Sequence, residues 1–198
     1  MEISTLKQRI LDISLKHNLS HLSSCLTSVD ILDEIYATRR DDEPVILSNG
    51  HAGLALYVIL EKYYGKDAEE LLLKHGVHPN FDAEDGIYCS TGSLGLGITV
   101  SVGYALARRD QNVYCLISDG ESFEGSVWES LNFAHKAKLD NLKIYANING
   151  QAAYDLVDSD RLIAQLTTFL PSVNIRKTHC DQFPFLNGIQ GHYHVQKQ

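Results

Sequence analysis

The sequence has little positive charge, and none of it is clustered. Lys and Arg number 17 against 25 Asp and Glu, the net charge is -8, and the densest basic pairs are Arg39-Arg40 and Arg108-Arg109. Phosphate-backbone binding needs clustered cations, so the composition argues against a nucleic-acid partner. Long apolar runs are missing too: no stretch approaches the roughly 20 residues that span a bilayer, and no membrane partner is expected. The charged, helix-patterned start at Met1 lacks the apolar centre of a signal peptide. The 4 cysteines, Cys25, Cys89, Cys115 and Cys180, are scattered with no CxxC pair, which predicts reduced thiols in a cytoplasmic chain. No repeat or low-complexity tract is present. The dinucleotide fingerprint is also absent, because the offset from Gly95 places Val100 where the last glycine of G-x-G-x-x-G belongs. What remains, 198 residues of which 44% are hydrophobic, suits one globular domain with a substantial core.

The stretch from Val113 to Asp155 carries the clearest pattern. Val113 to Ile117 is an apolar run ending at Ser118-Asp119-Gly120. Gly125 to Lys138 has helical spacing, with Val127, Leu131, Ala134 and Lys138 on one side. Leu142 to Ala146 is a second apolar run, ending at Asn147-Ile148-Asn149-Gly150. This is a βαβ unit, whose two turns lie side by side outside the carboxyl ends of adjacent parallel strands, where open α/β sheets bind ligands. Asp119 and Asn149 sit about one βαβ repeat apart. One Asp, one Asn amide oxygen and a nearby carbonyl match what Mg²⁺ takes alongside phosphate oxygens and water. Gly120 lets backbone approach a phosphate and offers it an N–H.

Elsewhere the pattern predicts an amphipathic helix over Met1 to His17, with Ile3, Leu6, Ile10 and Ile13 as its stripe. A polar, Ser-rich connection from Asn18 to Thr27 holds His21, and Ser28 is the expected N-cap of a helix reaching Ala37. Val45 to Leu47 reads as a short buried strand. Ser48-Asn49-Gly50-His51 opens a helix from Ala52 to Tyr64, placing His51 near a helix N-terminus, a natural anion site. Asp67 to His75 is a further short helix, and Gly76 to Gly92 is loop. Thr91 to Ala107 stays open: Leu96, Ile98, Val100, Val102, Tyr104 and Leu106 alternate as in a strand, yet the segment is long and apolar on nearly every face, as in a buried helix. Ser159 is the expected N-cap of a helix from Asp160 to Phe169, and Ser172 to Lys177 is the expected last strand.

Four stretches, in order, are similar to the diphosphate-binding half of the transketolase family. Ser20-His21 through Asp30-Ile31-Leu32 resembles its first histidine segment, usually GHPGG…DIL. Leu47-Ser48-Asn49-Gly50-His51-Ala52 resembles LSxGHA. His78-Pro79 followed by Thr91-Gly92-Ser93-Leu94-Gly95 resembles HPE…TGSLG. Asp119-Gly120-Glu121 through Glu124-Gly125 and Trp128-Glu129 to Asn149 resembles the thiamine diphosphate signature that runs from GDG to Asn.

The resemblance implies an α/β fold, a mostly parallel sheet flanked by helices on both faces, forming a single diphosphate-binding domain shortened after about residue 155. It implies that Asp119, the Asn149 side chain and the Gln151 carbonyl hold Mg²⁺, and that His51, Gly92, Leu94 and Gly120 contact thiamine diphosphate. His21 and His78 match histidines that bind substrate hydroxyls and relay protons. Glu124 matches a glutamate buried where subunits meet. The tail, Gly188 to His194, is similar to a segment with one more active-site histidine, for which His194 is expected over His192.

The departures carry information as well. Ser118 replaces the first glycine of GDG, where only backbone is expected to matter. Leu22-Ser23-Ser24 replaces Pro-Gly-Gly, and Asn80 stands where Glu is usual. The resemblance implies that the pyrimidine-binding domain, source of the glutamate that activates the cofactor, is absent here and lies on a separate chain. The implied protein is therefore the N-terminal subunit of a split transketolase, transferring a two-carbon ketol unit between sugars in an α2β2 assembly with a separate pyrimidine-binding subunit. Alternatives are a 1-deoxyxylulose 5-phosphate synthase-like reaction on the same cofactor, or a non-catalytic cofactor- or partner-binding paralogue. Read alone, Asp119 and Asn149 are also what an ordinary turn contains. His179, Cys180, His192 and His194 hold zinc-type ligands at irregular spacing.

Overall fold

The computed structural model describes residues 4–152, 155–181, 183–186 and 195. Its centre is a four-stranded sheet of β1 (Val45–Leu47), β2 (Val113–Ser118), β3 (Leu142–Ile148) and β4 (Asn174–Lys177), in that spatial order. Every pairing is parallel, with Leu47 beside Leu116, Ser118 beside Asn147, and Ile148 beside Lys177. Parallel strands with both faces covered read as near-continuous apolar runs, as Val113–Ser118 does, buried at every position.

Residue alternation divides the core in two. Val45, Leu47, Tyr114 and Leu116 face α1 (Thr5–His17), α2 (Leu22–Thr38), α3 (Gly53–Tyr64) and α4 (Ala68–His75). Ile46, Val113, Cys115, Ile117, Ile144 and Ile148 face α5 (Leu96–Ala107), α6 (Gly125–Lys136) and α7 (Ser159–Phe169). Helices therefore cover both faces, as the sequence implies.

Most elements fall where the pattern placed them. Asp67 caps α4 by accepting the N–H groups of Glu69 and Glu70. Asp158, one residue before the expected Ser159, caps α7. The open segment resolves as helix: Gly97, Ile98, Ser101 and Ala105 form its buried stripe. A Cβ on Gly97 would lie 2.5 Å from the Ser48 Cα, so α5 packs backbone to backbone against the end of β1. The strand-like alternation was a coincidence of outward-facing Leu96 and Leu106 with inward-facing Ile98.

The main correction concerns α2. It begins at Leu22, six residues before the expected cap, and the Ser-rich connection is its first two turns. Ser23, Ser24, Thr27 and Ser28 are buried. Thr27 Oγ1 donates back to the Ser23 carbonyl at 2.9 Å, and Ser28 Oγ receives amide N–H groups from Asn49 and Asn147. Polarity suggested a surface loop, but small hydroxyl side chains instead let a helix press closely on the strand ends.

Candidate active site

The carboxyl ends of β1, β2 and β3 open into one cleft of about 160 Å³, bounded on one side by the start of α2. Its lining includes His21, His51, His78, Gly92, Leu94, Asp119, Gly120, Asn149 and Gln151. These nine residues, singled out from four separate stretches of sequence, meet at one place. His194, and with it His192, lies outside the described residues.

Asp119 follows β2 and is 1% exposed. Its Oδ2 accepts the backbone N–H groups of Asn149 at 2.9 Å and Gly150 at 2.7 Å, and its Oδ1 accepts that of Gly120 at 3.1 Å. One carboxylate thus ties the turn after β2 to the turn after β3. Burial pushes the Asp119 carboxyl up to about 6, against the pull of these N–H donors. The Asn149 side chain closes a tight turn by accepting the Gln151 N–H at 2.9 Å. Beyond it, Val157 N donates to the Gly150 carbonyl and Ala152 N to that of Asp155, folding the loop back over Gly120.

The histidines form a second group. His21 takes the N-cap position of α2 at φ 61, in the left-handed region. That conformation costs a non-glycine residue roughly 1–2 kcal/mol. Its ring lies 5.5 Å from that of His51 and 6.2 Å from that of His78, between centroids. His51 stands in the 3₁₀ turn Gly50–Ala52 that leads into α3. Gly92, at φ 138, backs onto His78, whose ring atoms would lie 3.1 Å from a Cβ there.

A buried acid braces the site from behind. Glu121 Oε1 accepts Ser48 Oγ–H at 2.7 Å and Gly95 N–H at 2.8 Å, and Oε2 accepts Ser118 N–H at 3.1 Å. Burial pushes this carboxyl up as well, with the same three donors opposing. Glu121 therefore does more than complement a helix start. Glu124, expected where subunits meet, is exposed on this chain, beside Gly95.

Sequence reasoning missed Ser24, Asn49, Asn147 and Ala152, which also line the cleft. Asn147 carried a signal: a polar residue at an inward position of a buried strand demands a partner. Ser118, expected to matter through backbone alone, also lines the cleft, and its side chain caps the turn by accepting the Glu121 N–H. Another ligand-type cluster, His75, Asp82 and Asp85, does not line the cleft. Its carboxylates are already paired, Asp85 with Lys66 at 2.8 Å and Lys74 at 2.6 Å.

The residues present fit a phosphate-bearing ligand held through a cation. The carboxylate of Asp119 and the amide oxygen of Asn149 are hard oxygen donors, Gly120 presents bare backbone, and the cleft keeps orphaned polar atoms. Asn49 Oδ1 and Gln151 Oε1 are buried with no hydrogen-bond partner, and such groups mark a missing ligand or water.

A cleft lined by oxygen donors and histidines at the strand ends of a parallel α/β sheet defines the broad class. The chain belongs to the transketolase family: residues 27–158 match the family model described as transketolase, thiamine diphosphate binding domain. It is 32% identical over 158 residues to one of the subunits of apulose-4-phosphate transketolase from Phocaeicola vulgatus, covering 69% of this chain and 55% of that protein. It is 31% identical over 154 residues to the SqwG subunit of 6-deoxy-6-sulfo-D-fructose transketolase from a Clostridium species, covering 68% and 56%. Human transketolase is 32% identical over 149 residues, covering 65% of this chain and 24% of that one. A crystal structure of Pichia stipitis transketolase aligns with TM-score 0.71 at 24% identity, over 84% of this chain and 30% of that one. Transketolase from Campylobacter jejuni aligns with TM-score 0.63 at 25% identity, over 83% and 32%. The chain spans about half the length of the two subunits it matches.

Proposed function

We propose that this chain is the diphosphate-holding subunit of a split transketolase, active only with a second chain that carries the pyrimidine-binding domain. The observation that carries this reading is the Asp119 carboxylate bonded to the backbone of Asn149 and Gly150. It fixes two oxygen-bearing side chains on adjacent strand ends. Asp119, the Asn149 amide oxygen and the Gln151 carbonyl would hold Mg²⁺, a cation that prefers oxygen ligands shared with phosphate. Gly120, His51, Gly92 and Leu94 would seat the diphosphate. Thiamine diphosphate, when bound, supplies the electron sink for C–C cleavage. His21 and His78 would bind the sugar's hydroxyls and move protons at its oxygens, with His194 as a third such group.

The split arrangement rests on the match to relatives named as subunits, each about twice the matched length. A cleft of about 160 Å³ is also small beside the roughly 300–1,000 Å³ of complete ligand sites, as half a site should be. The partner's domain closes the remainder in an α2β2 assembly, and the reaction is transfer of a two-carbon ketol unit between sugars.

The test is to mix the purified chain with its candidate partner, thiamine diphosphate and Mg²⁺. Cofactor binding and ketol transfer are expected in the mixture, and Asp119→Ala should abolish both. Binding by neither chain nor mixture, with Asp119→Ala silent, would overturn the proposal. Binding without turnover in the complete mixture would favour the non-catalytic reading.

A further inference from the structure

Asn49 is 0% exposed and lines the cleft, yet its role is assigned by nothing in the cofactor-binding set above. Its Nδ2 donates to Ser28 Oγ at 3.2 Å, and Oδ1 is left buried without a partner. Ser28 Oγ also receives Asn147 Nδ2, at 3.3 Å. One hydroxyl thus accepts from two amides, and both bonds are longer than the roughly 2.9–3.0 Å typical of N–H···O. The arrangement leaves an acceptor unpaired on a residue that lines a cleft whose proposed ligand is itself all acceptor at its anionic end.

An amide turn of 180° resolves both problems. Amide oxygen and nitrogen have nearly the same shape, and a hydroxyl can donate as readily as accept. With the amide reversed, Ser28 Oγ–H donates to Asn49 Oδ1 and still accepts from Asn147. Asn49 Nδ2 then takes the place of the unpartnered oxygen, as a donor on a residue that lines the cleft. We infer that Asn49 binds an anionic oxygen of the diphosphate through its side-chain N–H, with Ser28 holding the amide in the reversed orientation. This rests on the cofactor reading above and adds an amide donor to the set of Gly120, His51, Gly92 and Leu94 proposed there. Asn147, already bonded to Thr27 Oγ1 at 2.9 Å, keeps Ser28 in place.

The sign of a charge substitution separates this from the alternative in which Oδ1 meets a ligand hydrogen. Asn49→Asp keeps the shape, removes the N–H and adds negative charge. Titration calorimetry of the chain with Mg²⁺ and either inorganic diphosphate or thiamine diphosphate gives the readout. Asn49→Asp should weaken both probes by about a hundredfold or more, and Asn49→Ala by about tenfold, in line with a hydrogen bond to a charged group. Ser28→Ala should weaken both by a smaller factor. In the wild type, the Asn49 side-chain amide resonances should shift when Mg²⁺ and diphosphate are added, a response that a purely structural asparagine would not give. Asn49→Asp binding diphosphate as well as the wild type, or amide resonances that stay in place while the wild type binds, would overturn the inference. Failure of the wild type to bind either probe, alone and with its candidate partner, would instead count against the cofactor reading on which it rests.

Discussion

Ser48 and Glu121 meet in a buried hydrogen bond of 2.7 Å that links the end of β1 to the turn after β2. Ser48 Oγ also accepts the Ile98 N–H at 3.0 Å, so one hydroxyl joins β1, the acid and the first turn of α5. Ser48→Ala would strand a buried N–H and remove one of three donors to a buried carboxylate. The expected cost is about 2 kcal/mol, read as a lower denaturant midpoint at unchanged m-value. Glu121→Ala should cost more, because Gly95 N–H, Ser118 N–H and the Ser48 hydroxyl lose their acceptor together.

Asp119 sets a pH dependence with a definite sign. Its carboxyl is pushed up from 3.8 to about 6, so in the metal-free chain this group's contribution to stability is full below the lower value and is lost as pH rises through the upper one. Metal binding runs the other way, because the cation takes the ionised carboxylate. Mg²⁺-dependent affinity for thiamine diphosphate should therefore be level above about pH 7 and fall about tenfold per pH unit below about pH 6. Calorimetry across that range checks it, and affinity that stays level from about pH 7 down to about pH 5 would contradict it.

His21 separates backbone from side chain. At φ 61, His21→Gly removes the left-handed cost, whereas His21→Ala retains it. The glycine variant should be more stable than the alanine variant by about 1 kcal/mol in thermal denaturation. Both should bind Mg²⁺ and diphosphate nearly as the wild type does, and both should lose ketol transfer in the presence of the partner chain. Retained transfer in either variant would remove His21 from the catalytic set.

Gly92→Ala tests the seat of His78. Its φ of 138 suits glycine, and the new Cβ would press on the His78 ring. A loss of about 1–3 kcal/mol is expected. Cofactor affinity should fall with it, since both residues line the cleft.

The βαβ unit from Val113 to Gly150 was legible because apolar runs, a helical stripe and two polar turns each pointed the same way. The meeting of nine of the named residues in one cleft was legible because several motifs in order outweigh any one of them. What sequence concealed was burial of polar side chains. Ser23, Ser24 and Thr27 looked like a loop, and Ser28 like a cap, because hydroxyls resemble surface residues until the helix that satisfies them is known. Asn49 stood only at the variable position of the LSxGHA-like segment that opens a helix. Leu96 to Ala107 could not be assigned by period, because its buried stripe is built of glycine, serine and alanine that carry almost no hydropathy signal.

Ketol-transfer assays on the chain alone, the pyrimidine-binding partner alone and the two together, each with Mg²⁺ and thiamine diphosphate, test the central claim most directly. Turnover is expected only in the mixture, and only with Asp119 intact. Robust turnover by this chain without a partner would contradict it.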